Sequence, residues 1–179
     1  MIKHLKANLV INFVLIALIT VAGFATADAQ CAEPKTVADF FRLVPERYMM
    51  GYDFRFREGL LRGERRGAVV DIRNGYIYWN ASDNPEEFEF AIFRKNNGKY
   101  IVAFSVGYDA DFDYSEFFLL SYDGGRWRDV TRELLPVRYN RTNTYRLPRK
   151  GRSIVVTGEG GRTLYKLTWA NDRFRRTRR

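Results

Sequence analysis

The sequence predicts a mainly β fold: an antiparallel meander of hairpins, closed as a curled sheet, sandwich or barrel, with one or two short helices. Three observations point there. Apolar runs of strand length are separated by turn signals two to five residues long. The chain is rich in side chains that suit pleated surfaces, with 14 Phe, 11 Tyr and 3 Trp in 179 residues. Only two short stretches show helical spacing, so successive hairpins, about nine strands in all, dominate the pattern.

The elements follow in chain order. Thr36-Val37-Ala38-Asp39 has the form of a capping box, with a side-chain oxygen at the start and a carboxylate three residues on. Val37, Phe40, Phe41 and Val44 then fall at helical spacing, and Pro45 stops the helix. From Tyr52 the period becomes two: Tyr52, Phe54 and Phe56 alternate with Asp53, Arg55 and Arg57, which predicts a half-buried strand. Residues 59–67, basic and punctuated by Gly, read as a loop. Five hairpins follow, turning at Arg73-Asn74-Gly75, Asn96-Asn97-Gly98, Asp123-Gly124-Gly125, Gly158-Glu159-Gly160-Gly161 and Asn171-Asp172. A short helix over residues 130–135, ended by Pro136, interrupts them. One internal echo stands out. Phe118, Leu120, Ser121, Tyr122, Arg126, Trp127 and Arg128 match Tyr165, Leu167, Thr168, Trp169, Arg173, Phe174 and Arg175 at a constant offset of 47 residues. It reads as one hairpin chemistry used twice: apolar strand, polar turn, basic-aromatic return strand.

The segments "DFFRLVPERYM" and "TLYKLTWANDRF" resemble small exported bacterial proteins of unknown role. That resemblance implies export and a compact β-rich domain, and it carries no functional residues with it.

The N-terminus has the three parts of a secretory signal peptide. Lys3 and Lys6 form a basic start, residues 13–25 an apolar centre, and Ala25-Thr26-Ala27-Asp28-Ala29 a small-residue cleavage region. The expected organisation is a leader over 1–29, a β-rich domain over 30–172 and a basic tail over 173–179, in the periplasm or outside the cell. Gln30 before Cys31 does not suit lipidation. Cleavage after Ala29 would leave 150 residues, enough for a core without staples, at net charge +8. The lone Cys31 would then be free near the new terminus or bridge to another chain.

The single histidine, His4, falls within the expected leader. Without imidazole, Ser-His-Asp and Cys-His hydrolysis and histidine-ligated metal or haem sites drop out. No cofactor motif is present. Gly158-Glu159-Gly160-Gly161 has the glycines of a phosphate loop, but Thr163 stands where a dinucleotide fingerprint needs Gly, and a β pattern follows.

Three candidate groups remain. Arg outnumbers Lys 23 to 7, with clusters at Arg62, Arg65 and Arg66 and at Arg173, Arg175, Arg176, Arg178 and Arg179. Guanidinium forks match phosphates and carboxylates, so anionic lipid, lipopolysaccharide or a wall polymer are the implied partners, or another protein. Nothing points specifically to nucleic acid. Asp109, Asp111 and Asp113, with Glu116, are a candidate for Ca²⁺ or for a carboxylate pair. Tyr114 and Leu120 stand where a calcium loop needs Gly and Glu, so an exposed acidic hairpin tip is the expected reading. Tyr76, Tyr78 and Trp79 would serve either as a sugar-stacking face or as β core, and core is expected. Asn80-Ala81-Ser82 and Asn140-Arg141-Thr142 have the form of glycosylation acceptors, discounted for a leader of bacterial style. The functional expectation is an exported, non-enzymatic binding module for anionic envelope components. The alternative is a carboxylate-based hydrolase or a Ca²⁺-dependent carbohydrate binder.

Overall fold

The computed structural model describes residues 33–80, 87–107 and 115–177. The expected leader, His4, Cys31, the aspartates at 109, 111 and 113, and the arginines at 178 and 179 lie outside the described residues.

Helix α1 (Val37–Leu43) starts as the sequence predicts. The Asp39 amide donates to Thr36 Oγ1 at 3.2 Å and the Thr36 amide donates to Asp39 Oδ2 at 2.9 Å. Helix α2 (Phe54–Leu61) follows, and a third helix, α3 (Thr131–Leu134), comes later in the chain. Ten strands make two antiparallel sheets. The first holds six in sequence order: β1 (Val69–Asp71), β2 (Tyr76–Asn80), β3 (Glu87–Arg94), β4 (Tyr100–Gly107), β5 (Glu116–Asp123) and β6 (Arg126–Asp129). The second holds β7 (Thr144–Arg146), β8 (Ser153–Thr157), β9 (Thr163–Ala170) and β10 (Arg173–Thr177), again in a meander. Both sheets are open, so of the predicted closures the barrel is not formed.

The six-stranded sheet is the middle of three layers. Ile77, Phe88, Phe90, Val102, Phe104 and Leu120 meet Val37, Phe40, Phe41, Met49 and Leu60 of the helical layer. On the other face Ala91, Phe93, Ile101, Ala103, Phe117 and Leu119 meet Tyr145, Ile154, Val156, Leu167, Trp169 and Phe174 of the four-stranded sheet. Burial on both faces explains why β4 reads as a nearly continuous apolar run rather than as an alternation.

Three expectations are corrected. Residues 52–57 do not form a strand: Asp53 caps a helix by accepting the Phe56 amide at 2.7 Å. Tyr52 and Phe56 pack on Trp79 and Phe88, whereas Phe54, on the opposite helix face, is exposed. The loop expected over 59–67 is correspondingly helical up to Leu61. The tail expected from Arg173 is strand β10, held by burial of Phe174 against Trp169 and Phe93, with ring centroids 4.9 and 5.1 Å apart. A three-residue strand, β7, had no signal of its own.

The turn between β1 and β2 also differs in detail. Gly75 is left-handed at φ +67, whereas Asn74 is bonded through its side chain and amide to Asp71, so the connection is longer than the two-residue form that Asn-Gly suggests.

Candidate functional site

The charge of the molecule is segregated by layer. Residues 136–177 hold eleven Lys and Arg against two acids, Glu159 and Asp172, a surplus equal to the net +9 of the whole sequence. The strands of the four-stranded sheet carry Arg146, Lys166, Arg173, Arg175 and Arg176 and neither Asp nor Glu. The six-stranded sheet carries Asp71, Glu87, Glu89, Glu116, Asp123 and Asp129 against Arg94, Arg126 and Arg128.

Part of this opposition is consumed between the sheets. Arg149 Nε lies 2.9 Å from Asp71 Oδ2, Arg141 Nη2 lies 3.5 Å from Glu116 Oε1, and Arg146 pairs with Glu87. The Asn74 side chain and then Arg149 hold the Asp71 carboxyl at about 2, well below the ordinary aspartate value.

What is left over faces outward. In β9 the buried Tyr165, Leu167 and Trp169 alternate with Lys166 and Thr168, which must point away from the core. In β10 the buried Phe174 turns Arg173 and Arg175 outward. The register sets Arg175 opposite Thr168 and Thr168 opposite Ser153, with Thr177 opposite Lys166. Ser153, Thr168 and Thr177 form a hydroxyl ladder with Oγ–Oγ1 and Oγ1–Oγ1 distances of 2.9 and 3.5 Å. Lys166, Arg173 and Arg175 therefore share one sheet face, with hydroxyls between them and no strand carboxylate to neutralise them. Arg176 does not belong to this face: its guanidinium lies over the Tyr165 ring, 4.5 Å from the centroid.

The other predicted cluster is on the far side of the molecule. Arg62, Arg65 and Arg66 follow α2 in the helical layer, on the face of the six-stranded sheet opposite the four-stranded one. Arg62 is bound bidentately to Glu64 at 2.6 and 3.2 Å, which holds the Glu64 carboxyl below its usual range. Arg65 stacks over Phe56 at 4.9 Å. The two arginine groups singled out in the sequence are thus not brought together. Lys166 was missed, although the alternation in Thr163–Ala170 and the lack of acids around it were available as signals.

A second cluster lies between the sheets. Glu89 is 8% exposed. Its Oε1 accepts from the Tyr76 hydroxyl at 2.8 Å and its Oε2 from the Leu147 amide at 2.6 Å. Burial pushes the Glu89 carboxyl up, and burial together with Glu89 pushes the Tyr76 hydroxyl far above its ordinary value. Tyr78 donates to Glu87 Oε2 at 3.2 Å. Glu89 is buried with both oxygens occupied, so it pins the end of β7 to the six-stranded sheet rather than presenting a base to a substrate. Elsewhere Arg138, Tyr139, Asn140 and Arg141 line an open concavity, and burial pushes the Tyr139 hydroxyl up to about 12.

The remaining candidates divide. Tyr76 and Tyr78 pack toward the four-stranded sheet while Trp79 packs under the helices, so they form no common stacking face. Residues 158–161 make the turn between β8 and β9, closed by the Gly158 amide on the Arg162 carbonyl at 3.0 Å. Of the acidic group only Glu116 is described, paired with Arg141. Among the described residues no three His, Cys, Asp or Glu side chains gather as metal ligands. Compared with family models, with curated proteins and with solved structures, the chain gives no match.

Proposed function

We propose that this protein is an exported, non-enzymatic module that binds anionic components of the cell envelope through the outer face of its four-stranded sheet. One observation carries the proposal: Lys166, Arg173 and Arg175 stand together on a sheet whose strands contain no acid, while neighbouring arginines are already neutralised across the inter-sheet layer. Arginine forks and interleaved hydroxyls suit phosphate and carboxylate oxygens. Lipid headgroups, lipopolysaccharide and wall polymers share that chemistry.

Substitution tests this better than truncation, because removing residues 173–179 would also remove β10 and the buried Phe174. The triple variant K166Q/R173Q/R175Q should bind vesicles containing anionic phospholipid about 100-fold more weakly, at about 1 kcal/mol per basic residue near such a surface. Binding by the native protein should weaken further as salt rises. R65Q/R66Q, on the opposite side, should change it little. Parallel titrations with lipopolysaccharide and with a soluble anionic wall polymer identify the source of the anion. Equal binding by the triple variant and the native protein would overturn the assignment of this face. Export is tested separately by mass spectrometry of the native product: a chain still beginning at Met1 would overturn it.

A further inference from the structure

Two Asn-Gly pairs stand in this chain, Asn74-Gly75 and Asn97-Gly98, and both lie in hairpin turns. Such a pair carries its own chemistry. The backbone nitrogen that follows an asparagine can attack the side-chain carbonyl carbon, and a glycine there puts no side chain in the way. The dipeptide alone makes the two turns equivalent, and their surroundings separate them.

Asn74 is locked. Its Nδ2 donates to Asp71 Oδ2 at 2.9 Å and its amide to Asp71 Oδ1 at 3.1 Å, and Arg149 Nε holds that carboxylate at 2.9 Å. Gly75 is locked as well. It is buried, its carbonyl accepts the Ile92 amide at 3.0 Å, and a Cβ there would fall 2.7 Å from Ile92 Cγ1. Neither residue can swing without breaking a charge-assisted bond or the end of the β2–β3 pairing.

Asn97 is not held in this way. Asn97 and Gly98 are exposed, and nothing lies within 4 Å of the place a Gly98 Cβ would take. Among the described residues Asn97 Nδ2 has no hydrogen-bond partner, whereas Oδ1 accepts the Lys99 amide at 3.1 Å. That donor is aimed at the oxygen that gains negative charge when the carbonyl carbon is attacked. The Gly98 amide donates to the Lys95 carbonyl at 3.1 Å, but the Gly75 amide donates to the Ile72 carbonyl at 3.2 Å in the same manner, so this bond does not distinguish the turns.

We propose that Asn97 is a site of spontaneous deamidation and isoaspartate formation in the folded protein, from which Asn74 is protected. Hydroxide removes the Gly98 amide proton. The nitrogen bonds to Asn97 Cγ, the Cγ–Nδ2 bond breaks, and Nδ2 leaves as ammonia with a proton from water. Water then opens the cyclic imide at either carbonyl. One product is aspartate at position 97, and the other is isoaspartate, whose backbone runs through the former side chain and is longer by a carbon. The change falls on the turn that joins β3 to β4. It also falls next to Asn96, whose amide donates to Asp172 Oδ1 at 2.8 Å in the turn between β9 and β10. The modification therefore alters the turn that ties one sheet's hairpin to the other's.

The experiment is peptide mapping by mass spectrometry of the native product held at mildly alkaline pH, with a parallel sample in concentrated urea. Each asparagine is compared with itself, folded against unfolded, which removes any effect of local sequence. Folding should slow Asn74 at least about 10-fold more than Asn97, the factor that one hydrogen bond broken before attack imposes. Asn97→Gln, whose longer side chain closes the ring far less readily, should remove isoaspartate from this turn and leave the behaviour of Asn74 unchanged. Equal slowing of the two asparagines by folding, or an Asn97 that stays intact in the folded protein while it converts in urea, would overturn the proposal.

Discussion

Arg57 shows how one residue can set a local geometry. It is 4% exposed and its Nη1 donates to the carbonyls of Phe41, Arg42 and Val44, at 2.9, 3.0 and 2.7 Å. Those are the carbonyls that the end of α1 leaves without helical partners, and a cation there also opposes the negative end of the helix. Burial lowers its pKa, with Glu46, Asp53 and Glu58 acting in the other direction, and the guanidinium stays charged. Arg57→Met keeps the stem and removes the donors, so it should cost about 3 kcal/mol in urea unfolding. Arg57→Lys should recover only part of that, since one ammonium cannot span the same carbonyls. An unfolding midpoint for Arg57→Met equal to that of the native protein would show that the α1 terminus is satisfied in another way. In the sequence Arg57 looked like the solvent side of a strand. Six alternating residues are too few to separate a period of two from the first turns of a helix, and the deciding features were the Asp53 cap and the spacing of Phe56 and Leu60.

At the scale of elements, the repeated hairpin is repeated in geometry too. Tyr122 pairs with Trp127 and Ser121 with Arg128, and 47 residues on Trp169 pairs with Phe174 and Thr168 with Arg175. Both turns have two left-handed central residues: Gly124 at φ +52 and Gly125 at φ +83, and Asn171 at φ +52 and Asp172 at φ +60. This is the turn whose twist matches that of the strands it joins. Gly124→Asn should therefore change the melting free energy by no more than about 0.5 kcal/mol, because Asn already fills the equivalent place. Gly67→Ala should behave differently. Its φ is +79 and an added Cβ would fall 2.3 Å from the Asn80 carbonyl oxygen, so a loss of more than about 2 kcal/mol is expected in the same assay. Hairpins were legible because their turn chemistry is local. The division into two sheets was not, since no turn signal says which hairpin stacks on which, and β7 exists only through its pairing with β8 and the hold of Glu89 on Leu147.

For the whole molecule, the contact between the sheets is both apolar and ionic, and its response to pH follows. Burial raises the Glu89 carboxyl above its ordinary value of 4.5, so the folded state keeps a proton that the unfolded chain releases. Its contribution to stability is complete below about pH 4.5 and is lost as pH rises through the raised value. Asp71 acts with the opposite sign: held at about 2, it supports the fold above its ordinary 3.8 and loses that support as pH falls toward 2. Glu89→Gln, with its amide oxygen on the Leu147 amide and its nitrogen on the Tyr76 hydroxyl, keeps both bonds and should flatten the upper slope in urea unfolding across pH. The acid-side slope should survive. Glu89→Leu leaves the two donors unpaired and should cost about 1–3 kcal/mol for each at every pH. An upper slope unchanged in Glu89→Gln would place its origin elsewhere. The basic character of the C-terminal region was visible in composition, but its orientation was not: period-two alternation gives two faces, and only the buried partners Phe93 and Trp169 decide which one is turned out.

Each layer is also a single stretch of chain: the helical layer of α1 and α2 within residues 37–61, the middle sheet within 69–129, the outer sheet within 144–177. A ribosome therefore makes the middle sheet well before the strands that cover its second face. Any product released after Leu135 would hold Phe93, Ile101, Phe117 and Leu119 uncovered. Such a fragment would be sticky rather than merely short, and quality control would meet it as an aggregate.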